Sequence, residues 1–330
     1  MLRKIFYALL AGHCALAHAA APTPPAASGA SATNRADSAP ASATAASTKT
    51  NTASTGLIRV GGSDLLETVI GEPLTRYAKQ ARLNIIVDMI GSPPAMDGLK
   101  SGDIQLAIVA VPVGQKPAPD GFKAIPFCFA VDYVIVNQAN PLTALNLRQL
   151  SGIFGNGSEN INSWSQLKLS GDWASRPITG YATSDEDGIV VEMLKYLALN
   201  RQPLRSNIHI LTTPDDVIKS VASSENGQNA IGVCGYDPGP PNKVLLISPD
   251  KTATVSKDAV RPTPENIFNG DYPLRLPFYL IYNPADQARV LPLVRLLLGD
   301  TYAARLSDAH FIPLPDTERN NSLLELDKPQ

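Results

Sequence analysis

Leu57-Ile58-Arg59-Val60-Gly61-Gly62-Ser63-Asp64 opens the stretch that decides the fold: a short apolar run of strand character that stops at paired glycines. A helical pattern follows, with Leu65, Leu66, Val69, Leu74 and Tyr77 on one side and an expected kink at Pro73. Asn84 to Ile90 reads as the next strand, ending in Gly91-Ser92-Pro93-Pro94. A short helix over Ala95–Lys100 and the turn Ser101-Gly102-Asp103 lead to a third strand, Gln105 to Val111. The order β-α-β-α-β implies a parallel sheet with right-handed crossovers and helices on both faces.

The alternation continues outward. Ala124–Phe129 and Asp132–Val136 read as short strands, Leu147–Phe154 as a helix and Ile178–Tyr181 as a strand. Asp185–Leu199 is a strongly amphipathic helix whose apolar side holds Ile189, Val190, Met193, Leu194 and Leu197. Strand Ile208–Leu211, helix Asp215–Ala222 and strand Ala230–Val233 repeat the pattern. Tyr279–Tyr282 is a late strand and Asp286–Leu298 a late helix.

The two ends of the pattern differ in texture. Met1 to Lys4 is a short basic start, Ile5 to Ala17 an apolar run, and Ala17-His18-Ala19 a small-x-small cleavage pattern, which together predict a secretory signal peptide over residues 1–19. The apolar run is too short to span a bilayer, which takes ~20 residues. Of the 36 residues from 20 to 55, 30 are Ala, Ser, Thr or Pro, so this segment reads as a disordered linker with nothing to offset the entropy of ordering it. The mature protein is expected to be exported, periplasmic or secreted, and soluble. With 28 basic against 30 acidic side chains, charge gives no reason to expect a nucleic-acid or anionic-membrane partner. Three cysteines, one of them Cys14 in the targeting segment, exclude a disulfide-dense scaffold and a four-cysteine zinc site. Cys128 and Cys234 are expected as buried, reduced thiols.

Ligands of such folds bind where parallel strands end and helices begin, because free helical N–H groups point into the crevice there. Three segments qualify: Gly62-Ser63-Asp64, Gly91-Ser92-Pro93 and Thr183-Ser184-Asp185-Glu186-Asp187-Gly188. Each also reads as an ordinary helix cap, since Ser and Asp cap helices anywhere. An enzyme is not expected. No Gly-x-Ser-x-Gly elbow exists, and the sequence puts neither His209 nor His310 near Ser63 or Ser184.

Asp132-Tyr133-Val134-Ile135-Val136-Asn137, then Asn140-Pro141-Leu142, Ile153-Phe154-Gly155 and Trp164, carry a resemblance. So do Ala230-Ile231-Gly232, Tyr272-Pro273-Leu274 and Phe311-Ile312-Pro313-Leu314. Over roughly residues 57–315 the chain resembles the periplasmic phosphate-binding proteins of ABC phosphate importers. That resemblance implies an α/β, two-lobed periplasmic-binding-protein-like fold, each lobe a mainly parallel sheet flanked by helices. Lobe I would hold residues 57–129 and 274–316, lobe II residues 130–273, and residues 317–330 a C-terminal tail. Two strands, near Phe129–Asp132 and Leu274–Phe278, would form the hinge. It also implies a monomer that closes on a small solute, phosphate or another, and is read by an ABC permease in the inner membrane, with no cofactor, no metal and no nucleic acid.

The candidate ligand residues on this basis are Ser63, Asp64, Ser92, Thr183, Asp187 and Gly188. The anion site departs from the family pattern. Asp64 replaces a small or apolar residue, and Ala110-Val111-Pro112 stands where an Asp or Arg is expected. Thr183 takes the place of an Arg, and Asp187-Gly188-Ile189 that of Ser-Gly-Thr. Asp185, Glu186 and Asp187 read as helix-capping acids, as the mark of a changed, cationic or zwitterionic ligand, or as cleft acids for a divalent metal, although the run lacks the alternating spacing of a calcium loop. Phosphate is therefore expected to bind weakly, unless another basic residue such as Arg59 or Lys100 reaches the cleft. A domain that keeps the fold without a ligand, for sensing or interaction, is the alternative.

Overall fold

The computed structural model describes residues 56–184, 189–223, 227–251 and 258–326; the segments read as signal peptide (1–19) and linker (20–55) lie outside these residues. Strand β1 (Ile58–Gly62) runs into a 3-10 turn at Asp64–Leu66, a π turn at Glu67–Gly71 and then helix α1 (Glu72–Gln80). Pro73 lies where the π turn passes directly into α1, so the continuous helical run changes its winding at the position read as a kink. β2 (Ile85–Asp88), α2 (Ser92–Ser101) and β3 (Leu106–Ala110) complete the opening unit. α2 begins earlier than its apolar pattern does, because Pro93 and Pro94 fit its first turn.

β4 (Lys123–Val131) continues through Asp132 into β5 (Tyr133–Asn137). After β6 (Ala144–Asn146) come α3 (Leu147–Phe154), β7 (Thr179–Thr183), α4 (Ile189–Leu197) and β8 (His209–Leu211). Next are α5 (Pro214–Ala222), β9 (Ala230–Cys234), β10 (Asn242–Val244), β11 (Leu246–Ser248) and α6 (Pro264–Asn269). The chain then enters β12 (Arg275–Tyr282), α7 (Gln287–Leu297), α8 (Asp300–Asp308), β13 (Ile312–Pro313) and α9 (Asp316–Leu326).

Two main sheets result. The first has the order β13-β4-β12-β3-β1-β2 and the second β10-β5-β9-β7-β8, with β6 and β11 forming a small parallel pair. They are called lobe I and lobe II below. Each sheet is mixed rather than mainly parallel. β1 runs parallel to β2 and β3, and β7 parallel to β8 and β9, but β12 is antiparallel to β3 and β4, and β5 to β9 and β10. The reason is directional. β1, β3, β7 and β9 run toward the space between the lobes. A strand arriving from the other lobe must run away from that space, and β12 and β5 are those arrivals.

Alternate residues of β3 serve two cores, as the period of a strand requires. Leu106 and Ile108 face Val60, Leu66, Ile70 and Leu74, whereas Ala107 and Val109 meet Ala95 and Leu99 of α2. Close packing of α2 depends on Gly61, where an added Cβ would lie 2.5 Å from Ile104 Cδ1 and 3.2 Å from Ala95 Cβ. Residues expected as a C-terminal tail from 317 onward instead form α9 as far as Leu326. Arg319, 8% exposed, pairs there with Asp300 at 2.9 Å and Asp316 at 2.7 Å, and Leu326 is buried in the core. Cys128 and Cys234 are free, buried thiols in β4 and β9.

The chain crosses between lobes at two places that are bonded to one another. Asp132 donates its N–H to the Leu274 carbonyl at 3.0 Å, and the buried Tyr272 hydroxyl donates to the Asp132 carbonyl at 2.7 Å. The Asp132 side chain is fully buried and neither carboxyl oxygen has a partner. Burial pushes its pKa well above the ordinary carboxylate range. An acid raised in the folded state stabilises nothing by ionising, whereas the unfolded chain ionises from about pH 4 upward. Stability therefore drains away as pH rises from that point toward the raised native value. In Asp132→Asn this contribution should vanish, so its melting temperature should gain on that of the unaltered protein between pH 5 and pH 9. Parallel melting curves across that range would contradict it.

Candidate functional site

The strand directions put the carboxyl ends of β1, β3, β7 and β9 along the two facing edges of the lobes. On lobe I two loops are bonded together. The Ser63 N–H donates to the Ile108 carbonyl at 2.8 Å, and the Gly91 N–H donates to the Gly62 carbonyl at 2.9 Å. The Ser92 hydroxyl accepts the Ala110 N–H at 3.0 Å, which fixes the start of α2 against the end of β3 and leaves its own proton for another acceptor. Ser63 and Ser92 are 2% and 4% exposed. The Ser63 hydroxyl makes no cap bond to the turn that follows it. Asp64, partly buried, opens that turn, and Glu67 behind it has its pKa raised by burial, Glu72 and Asp88.

On lobe II, Thr183 ends β7 opposite Leu211 and is 2% exposed. The next N–H, of Ser184, donates to the Leu211 carbonyl at 3.1 Å. Asp187 and Gly188 lie outside the described residues, so the structure locates Ser63, Asp64, Ser92 and Thr183 of the six candidates. It brings the first three together and puts Thr183 on the opposing edge.

Neither proposed auxiliary cation belongs to this edge. Arg59 is exposed near the start of β1, and Lys100 lies in the last turn of α2, 3.8 Å from Asp97. A cavity of about 400 Å³ runs along α2 from Ser92 to Lys100, under the segment that includes Pro112 and Lys116. It shares only Ser92 and its neighbours at the end of β3 with the cleft edge, and its Lys116 is paired with Asp120.

Two features were missed in the sequence. The Tyr236 ring of lobe II stacks on His310 of lobe I, with centroids 4.0 Å apart and planes at 16°. The Tyr236 hydroxyl also donates to Asp215 at the start of α5; burial and this carboxylate push the tyrosine up to about 12. Arg275, the first residue of β12, lies with its guanidinium carbon 5.5 Å from the centre of the Phe129 ring. Neither has a local motif: each acquires its meaning from a partner far away in the chain. His209 stacks on Tyr181 at 5.1 Å, so both described histidines are engaged with tyrosine rings.

Residues 36–295 match the family model described as a PBP superfamily domain, and the chain belongs to that family of solute-binding proteins. It is 26% identical over 282 residues to the phosphate-binding protein PstS of Pseudomonas aeruginosa, covering 80% of this chain and 85% of that one. Among solved structures it is similar to PstS from Borrelia burgdorferi, with a TM-score of 0.62, 17% identity and coverage of 79% of this chain and 99% of that one. An ABC-type phosphate transport receptor from Vibrio cholerae is similar with a TM-score of 0.55 and 18% identity, over 78% of this chain and 100% of that one. These two establish the shared fold. Among the described residues no helix is long and apolar enough to cross a membrane.

The lobe I edge has little slack. A Cβ on Gly62 would lie 2.6 Å from the Ile108 carbonyl oxygen, a backbone atom that cannot retreat without moving β3. Gly62→Ala should therefore destabilise the protein by about 1–3 kcal/mol in a urea titration, as overpacking does. An unchanged midpoint would mean that the β1–β3 edge yields.

Proposed function

We propose that this chain is an exported solute-binding protein that holds a small oxyanion, inorganic phosphate first among them, in the cleft between its lobes. The observation that carries the reading is the pair of buried hydroxyls on lobe I. Ser63 and Ser92 stand at strand ends, where the following turns begin, and each keeps a proton to give to an acceptor. The PstS relatives bear phosphate-binding names, and this supports the choice of ion. Closure of lobe II over the ion would bring Thr183 to it, and the closed form would be what an ABC permease recognises.

The reading includes low affinity. A charge-assisted bond to an anion contributes about 1.5–3 kcal/mol, about 10- to 100-fold in Kd. The lobe II loop offers Thr183 and Asp187 where such a bond would be made by a cation and a hydroxyl.

Isothermal titration with phosphate and sulfate tests this. Ser63→Ala should weaken phosphate binding by about 10- to 100-fold, the loss of one hydrogen bond to an anion. The double replacement Thr183→Arg with Asp187→Ser should tighten it by at least about 10-fold. Binding that ignores both changes would place the ion elsewhere.

A further inference from the structure

We propose that Arg275 pairs with the anion, supplying from the hinge the cation that the lobe II loop lacks. The inference rests on the oxyanion reading above and adds to it a residue and a direction of approach.

Position comes first. β12 enters lobe I from lobe II, and Arg275 is its first residue, opposite Val131 of β4. Three residues later Phe278 pairs with Ala110, whose N–H is held by the Ser92 hydroxyl. About 10 Å of strand therefore separates the root of Arg275 from the residue that anchors Ser92. An extended guanidinium arm and a phosphate ion suit that gap. The guanidinium lies between parts of both lobes. It stands over Phe129 of β4, and an added Cβ on Gly270, which ends α6 on the lobe II side, would lie 2.7 Å from its terminal nitrogen.

Charge comes second. Arg275 is half-buried, and among the described residues it makes no ion pair and no hydrogen bond. Asp132 of the hinge does not neutralise it, because both of its carboxyl oxygens are without partners. Burial lowers its pKa, with Tyr279 and Asp271 acting in the opposite direction. A cation removed from water without a counter-charge is costly, and an incoming anion relieves that cost. The Phe129 ring and the absence of a side chain at Gly270 hold the planar group ready, and a guanidinium fits a phosphate with two parallel N–H bonds.

The experiment measures phosphate and sulfate binding by isothermal titration to the unaltered protein, Ser63→Ala and Arg275→Gln. Arg275→Gln should weaken phosphate binding about 10- to 100-fold. If Arg275→Gln binds phosphate as the unaltered protein does while Ser63→Ala binds it less well, the role of Arg275 is overturned and the oxyanion reading stands. If the unaltered protein binds neither ion, both fall. A second measurement needs no variant. Phosphate at saturation should shield Arg275 of the unaltered protein from phenylglyoxal, read by mass spectrometry of its peptide. Undiminished modification overturns the proposal.

Discussion

The bond between the two crossings, Asp132 N–H to the Leu274 carbonyl with Tyr272 donating to Asp132 in turn, is the constraint on which the rest depends. It brings β4 and β12 side by side where the chain passes from lobe to lobe. That adjacency forces β12 and β5 to run away from the gap and so leaves every β-α unit ending at it. The ligand loops share the two edges because of this direction, not because of any sequence they have in common. Two bonded strands also turn easily relative to the bodies they join, which is what a closing cleft needs.

The same place stores the less comfortable chemistry. Asp132 is a buried acid whose oxygens have no partner, and Arg275, one residue after Leu274, makes no ion pair among the described residues. Neither feature is explained by stability, since well-packed apolar groups in their place would cost less. Across the gap the lobes touch again through Tyr236 and His310. His310 adopts a left-handed backbone, φ 63°, uncommon for a residue with a side chain. The hinge region is therefore held from both lobes by contacts that opening must alter.

Much of the fold was legible. The β1–α1–β2–α2–β3 unit follows from apolar spacing and glycine stops, and α3 was read to the residue because Asn146 and Gln149 make a capping box around a clear apolar face. What was not legible has physical causes. β12 begins at Arg275, ahead of the apolar run read from Tyr279, because Pro277 obscures a strand whose carbonyl still accepts from Val111. α9 has almost no apolar periodicity and is held by Arg319 and Leu326, contacts that only tertiary structure provides. At the proposed site, Ser63 and Ser92 were visible because local turn chemistry marks them. Arg275 was not, since its significance comes from Phe129 and Gly270, far from it in the chain or lacking any side chain.

The central claim is that two hinged lobes close on a small anion. Small-angle scattering of the protein, recorded without phosphate and with phosphate at saturation, addresses it most directly. The account predicts a smaller radius of gyration with the ion bound. Superimposable curves at a concentration where titration demonstrates binding would contradict it.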